Sequence, residues 1–169
     1  MKLPRVALQS TGGRKIDLSA LEGKTVIYVY PRTGRPDQEV PPGWNAIPGA
    51  RGCTPQSCAF RDHYEELKRA GASQVFGLST QDTEYQREAA ERLHLPFELL
   101  SDEGLGFARA LKLPTFDVAG MRLIKRLTLI ARDGVIQKVF YPVFPPDRNA
   151  GDVLDWLRNR RQTSDARRQ

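Results

Sequence analysis

The sequence predicts an α/β domain, with a central mixed β-sheet flanked by helices. Three observations carry this expectation. Short β-branched and aromatic runs alternate with segments of helical apolar spacing. The last two runs face each other across Asp133-Gly134, a tight hairpin turn, which makes the sheet mixed. The chain has 169 residues, 40% of them hydrophobic and 27% charged, which suits one globular core rather than a disordered chain.

In order along the chain, short strands are expected near Val6 and at residues 15–17. Residues 24–30 (Lys-Thr-Val-Ile-Tyr-Val-Tyr) read as a buried strand, and residues 74–79, 126–131 and 135–141 as three more. A helix is expected over 53–70, where Phe60 and Tyr64 would pack it onto the sheet. A second is expected over 82–93, opened by Asp82 as a capping residue. Shorter helices are expected over 103–111 and 151–161, the latter with Trp156 in the core. Residues 1–161 thus form a single domain, and 162–169 a polar, frayed tail. One segment breaks the rhythm. Residues 34–52 are rich in Pro and Gly, with Trp44 as the largest apolar group. A loop this long inside a compact domain calls for a function. The aromatic run 140–146 suits either a substrate mouth or a dimer contact.

Charge and cysteine content narrow the function. The formal charge is +6, but residues 158–169 hold five arginines and one aspartate, so +4 belongs to the tail. The body has no marked basic face, and neither nucleic acid nor membrane is expected as a partner. Two cysteines are too few for a disulfide-rich secreted scaffold. The opening Met1-Lys2-Leu3-Pro4-Arg5 is not followed by the apolar run of a secretory leader. A cytoplasmic, thiol-reducing compartment is the expectation.

The chemistry concentrates in Gly52-Cys53-Thr54-Pro55-Gln56-Ser57-Cys58. Cys53 stands where a loop becomes a helix, and Pro55 supports that boundary because proline is tolerated in the first helical turn. Open backbone N–H groups and the positive end of the helix dipole favour a thiolate there, as would cations such as Arg51 and Arg61. Cys53 is therefore a candidate nucleophile. Cys58 follows five residues later. On one continuous helix their Cα atoms would be about 8.7 Å apart. A disulfide needs less than about 7 Å, so the pair can join only if the first turn unwinds. A thioredoxin-type redox pair has two intervening residues, whereas four intervene here. A zinc site wants four ligands, with only His63 and His94 available beside the cysteines, and His63 is poorly aimed. Two inert buried cysteines remain the plain alternative.

These segments resemble the peroxiredoxins, nearest to the Q-type or bacterioferritin-comigratory-protein branch. The opening 12–24, Tyr28-Val29-Tyr30-Pro31-Arg32, and Cys53-Thr54-Pro55-Gln56-Ser57-Cys58-Ala59-Phe60-Arg61-Asp62 are similar to that family's first hairpin, strand end and active helix. Gly77-Leu78-Ser79-Thr80, Leu99-Leu100-Ser101-Asp102 and Arg126-Leu127-Thr128-Leu129-Ile130 continue the likeness in order. The resemblance implies a thioredoxin-like fold and thiol-based reduction of hydrogen peroxide and organic hydroperoxides, with no metal or organic cofactor. It gives Cys53 the place of the peroxidatic cysteine and Cys58 that of a resolving cysteine closing an intramolecular disulfide. It gives Arg126 the place of an arginine that holds thiolate and peroxide.

One departure stands out. The family has Pro and Thr/Ser seven and three residues before the nucleophile, where this chain has Ala46 and Ala50. Pro31 looks like that proline but lies 22 residues upstream, so the loop carries 15 extra residues. Thr33 and Thr54 are the candidates to replace the missing hydroxyl, and Trp44 is a candidate wall of the pocket. Thioredoxin or glutaredoxin would be the reductant, and the chain a monomer or homodimer. Two other readings compete: a thiol–disulfide oxidoreductase acting on protein disulfides, and a non-catalytic thioredoxin-like interaction module that docks a partner through the loop bearing Trp44.

Overall fold

The computed structural model describes residues 1–35, 38–47, 50 and 52–168, with residues 161–168 described by their backbone alone. Arg51, Pro36, Pro48 and Gly49 of the loop, and the side chains of the tail, lie outside the described residues.

Strands β1 (Ala7–Ser10) and β2 (Lys15–Asp17) form a hairpin ahead of the buried strand β3 (Lys24–Val29). The long loop leads to helices α1 (Cys53–Asp62) and α2 (Tyr64–Arg69). Then come β4 (Ala72–Ser79), α3 (Thr83–Arg92), β5 (Leu99–Ser101) and α4 (Gly106–Leu111). A small hairpin of β6 (Thr115–Val118) and β7 (Met121–Ile124) precedes β8 (Leu127–Arg132), β9 (Val135–Phe140) and α5 (Asn149–Arg168). Seven strands make one sheet in the order β2-β1-β5-β4-β3-β8-β9. Strand β4 runs parallel to both β3 and β5, while β8 runs antiparallel to β3. The sheet is thus mixed, with helices on its faces, as expected.

The sheet is two-sided because β3 alternates with period two. Val26, Tyr28 and Tyr30 enter the core beneath α1, α2 and α5, while Ile27 and Val29 enter the opposite core with Phe107 of α4. Tyr28 stacks on Phe60 at 4.6 Å with the rings 7° from parallel, which fixes α1 on the sheet. Gly77 permits this: a Cβ there would run into the Tyr28 ring and Leu99.

The structure departs from expectation in four places. The helix expected over 53–70 breaks at His63, whose ψ of 6° separates α1 from α2 although i→i−4 bonds continue on either side of it. Strand β5 was not foreseen, being three residues long and too short for a periodic signal. The β6–β7 hairpin was missed because its turn is Ala119-Gly120 rather than an Asn-Gly or Asp-Gly pair. Helix α5 runs to Arg168, past the expected end at 161, and Trp156 is half-buried against the core edge rather than within it.

Candidate active site

Gly52 fixes where α1 begins. Its φ of 102° is left-handed, and the Pro146 ring occupies the space a Cβ would need, so only glycine meets both demands. Cys53 is therefore the first residue of α1, with Pro55 in the same turn. It is 4% exposed. Among the described residues, three groups surround its sulfur. Arg126 Nη2 donates to Sγ at 3.1 Å, the backbone N–H of Arg32 donates at 3.4 Å, and the Ala50 carbonyl stands 3.8 Å away as an acceptor for the thiol. A cation and a main-chain donor on one sulfur, at a helix N-terminus, stabilise negative charge on it and on an oxygen bonded to it.

Arg126 lies immediately before β8 and is 3% exposed. Its guanidinium also donates to the Ala50 carbonyl at 3.3 Å and to Gln56 Oε1. Gln56 is fully buried and its Nε2 donates to Asn149 Oδ1 at 3.1 Å, an oxygen that also accepts from the Thr128 hydroxyl. The side chains of α1, β8 and α5 are thereby tied to one guanidinium. Sequence reasoning missed Gln56, Asn149, Thr128 and the Arg32 N–H. The signal for Gln56 was present: three residues from Cys53, it shares that helix face. Asn149 and Thr128 carried no such signal. Elsewhere on α1, the Tyr28 hydroxyl donates to Ser57 Oγ at 3.1 Å, and burial pushes that phenol well above its ordinary range, so it stays neutral.

Both cysteines are free thiols, Cys53 buried and Cys58 half-buried. With both on the unbroken α1, their Cα atoms are about 8.7 Å apart by helix geometry.

The other candidates separate. Arg32, Val40, Trp44, Cys53, Thr54 and Pro55 are among the walls of a cavity of 260 Å³ beside the thiol. Trp44 is 6% exposed and also packs at 6.2 Å on Phe116, joining Leu123 and Val118 in a small third core that anchors the loop to the β6–β7 hairpin. Trp44 is thus a wall of the thiol cavity, as anticipated, and is buried rather than presented to a partner, as the interaction-module reading would have it. Pro31 is buried two residues past the end of β3, where it precedes the Arg32 N–H that reaches the sulfur. Thr33 is not brought to the thiol cavity. It is 1% exposed, and its hydroxyl and N–H both donate to Gln81 Oε1 at 3.1 Å. Of the two threonines, Thr54 alone lines the thiol cavity. A larger cavity of 360 Å³ lies on the other side of Arg32, against Tyr85, Met121 and Leu123. Among the described residues, no group of three His, Cys, Asp or Glu side chains comes together as a metal site, and no helix is long and apolar enough to cross a membrane.

A sulfur held this way at the head of a helix, on a sheet with two parallel central pairs and a closing hairpin, is the arrangement of thioredoxin-like proteins that do thiol chemistry. The comparisons are more specific. Residues 1–154 match the model of the Redoxin family. Peroxiredoxin Q, chloroplastic, of Sedum lineare is 34% identical over 157 residues, covering 92% of this chain and 75% of that protein. Peroxiredoxin Q, chloroplastic, of rice (Oryza sativa subsp. japonica) is 33% identical over 157 residues, covering 92% of this chain. This chain spans 64% of the length of the rice protein. Among solved structures, peroxidoxin BcpB of Mycobacterium tuberculosis superposes with a TM-score of 0.75 at 25% identity, covering 94% of this chain and 95% of that one. The chain belongs to the Redoxin family, in its peroxiredoxin Q branch.

Proposed function

We propose that this chain is a thiol peroxidase that reduces hydrogen peroxide and organic hydroperoxides. The observation that carries the reading is the Cys53 sulfur, buried on a 260 Å³ cavity and 3.1 Å from the Arg126 guanidinium. The Cys53 thiolate attacks the outer peroxide oxygen; the S–O bond forms as the O–O bond breaks. Sulfur is oxidised by two electrons to a sulfenic acid, and water or an alcohol leaves. Arg126 and the Arg32 N–H are aimed at the charge that passes from sulfur to oxygen. The first turn of α1 then opens, the Cys58 thiol displaces hydroxide from the sulfenic sulfur, and water and a Cys53–Cys58 disulfide result. An external dithiol of the thioredoxin or glutaredoxin kind restores both thiols by exchange. The compartment assigned is a reducing cytoplasm. In this reading Thr54 and Trp44 line the substrate pocket.

Intact mass after one equivalent of hydrogen peroxide tests the reading. The wild type loses about two daltons, a disulfide, and Cys58→Ser gains about sixteen, a sulfenic acid. Cys53→Ser stays unmodified and does not turn over. Full first-turnover activity in Cys53→Ser would reverse the assignment.

A further inference from the structure

We propose that this site prefers hydroperoxides bearing a carboxylate, and that the Arg32 side chain binds it; the proposal rests on the peroxidase reading above. Arg32 is the one residue among those described that lines three adjoining cavities. These are the 260 Å³ cavity of Cys53, a 40 Å³ cleft under the loop, and the 360 Å³ cavity beyond. Its backbone N–H touches the Cys53 sulfur, so its guanidinium sits one side-chain length from the nucleophile.

That guanidinium is held but not neutralised. It donates to the Tyr85 hydroxyl at 3.4 Å and reaches Met121 Sδ at 3.6 Å, with its carbon 5.5 Å from the centre of the Tyr85 ring. Among the described residues no carboxylate pairs with it, whereas Arg14, Arg61, Arg92, Arg122 and Arg158 each have one. Glu39 lines the small cleft with Arg32 and Arg35 but is exposed, and among the described residues it forms no ion pair with either. Arg35, stacked over the same Tyr85 ring at 4.3 Å, shares the single carboxylate of Glu88 with Arg92. Asp82 and Glu103 line the larger cavity, but Asp82 caps α3 through the Tyr85 N–H and Glu103 is exposed at the rim. A planar, permanently charged fork beside an apolar wall of Trp44 and Val40 suits a carboxylate on a short hydrocarbon spacer.

The reacting bonds are those of the common step. The outer oxygen passes to the Cys53 sulfur, the O–O bond breaks, and the alkoxide takes up the proton the thiol gave up. The carboxylate is a handle that orients the peroxide and is unchanged by the reaction.

The probes are cumene hydroperoxide carrying a para carboxylate, its methyl ester, and hydrogen peroxide. The readout is the second-order rate of Cys53 oxidation in Cys58→Ser. In protein with Arg32 intact, the acid outruns the ester at least tenfold, and the ratio shrinks as salt rises. Arg32→Met brings the ratio close to one, and Arg32→Lys retains most of it; a ratio within one variant is independent of any general loss of rate. Equal rates for acid and ester with Arg32 intact, or a ratio that survives in Arg32→Met, would overturn the proposal while leaving the peroxidase reading standing. If none of the three peroxides oxidises Cys53, the peroxidase reading fails and the proposal with it.

Discussion

Arg126 is positioned by side chains from three elements, and its charge is directed to one sulfur. Arg126→Ala removes the donor at 3.1 Å, and sulfenate formation slows by at least an order of magnitude, roughly 1.4 kcal/mol of transition-state stabilisation. Stopped-flow oxidation by hydrogen peroxide measures it, and an unchanged rate would return Arg126 to a structural role. Gln56 acts one step back, through Arg126. Gln56→Leu keeps about the same volume but leaves a guanidinium N–H and the carboxamide of Asn149 short of a partner. The variant loses about 1–3 kcal/mol in a urea melt. It also oxidises several-fold more slowly in its first turnover, a change that loss of stability alone would not produce in protein that remains folded. At this scale Cys53 at the helix start was legible from the local Cys-Thr-Pro signal, whereas Arg126, which donates to its sulfur, was reached through the family resemblance. Asn149 and Thr128 were not legible. Asn149 meets Gln56 across 93 positions of chain and Thr128 across 21, and no spacing rule reaches that far.

Helix α1 and the loop before it must move together. The N–H of Ala50 donates to the Ile47 carbonyl, and Ile47 follows the short helical turn Trp44–Ala46. The Ala50 carbonyl in turn faces both Arg126 and the Cys53 thiol. Opening the first turn of α1 therefore pulls on the segment that holds Trp44 against Phe116. In a Trp156→Phe background, Trp44 emission is expected to shift between the reduced and disulfide states. Identical spectra, together with intact peroxide kinetics after shortening of the loop, would show instead that the loop is a rigid ornament. The elements with strong periodicity or a capping residue were readable: β3, β4, β8 and β9 begin or end within two residues of expectation, and Asp82 caps α3 as anticipated. What escaped were elements whose identity is tertiary. Strand β5 exists because β1 and β4 flank it, and β6–β7 because the loop packs on it.

For the molecule as a whole, the order of strands and helices was readable because alternation of periods survives in the sequence, while the position of the active helix relative to α5 was not. That relation has a consequence for the redox cycle. Gln56 lies between the two cysteines, so the turn that must unwind to join them is the turn that fastens Arg126 to Asn149. Closing a loop of about six residues stabilises a fold by only about 2 kcal/mol through chain entropy. Unfastening Gln56 from Arg126 and Asn149 costs about 1–3 kcal/mol, as in Gln56→Leu, and the backbone bonds of the opened turn, such as that from the Gln56 N–H to the Gly52 carbonyl, are lost besides, at about 1 kcal/mol each. The disulfide form is accordingly expected to melt at a lower temperature than the dithiol form, the reverse of what a cross-link ordinarily does. Calorimetry of the two states decides it, and a higher melting point on oxidation would show that α1 opens without disturbing Gln56. The same difference reappears as driving force: each 1.4 kcal/mol by which oxidation loosens the fold raises the native disulfide's reduction potential by about 30 mV over that of the unfolded chain. In the proposed cycle the folded protein would work like a set spring, wound by the peroxide and released by the dithiol, so that refolding of one helical turn would help drive its own re-reduction.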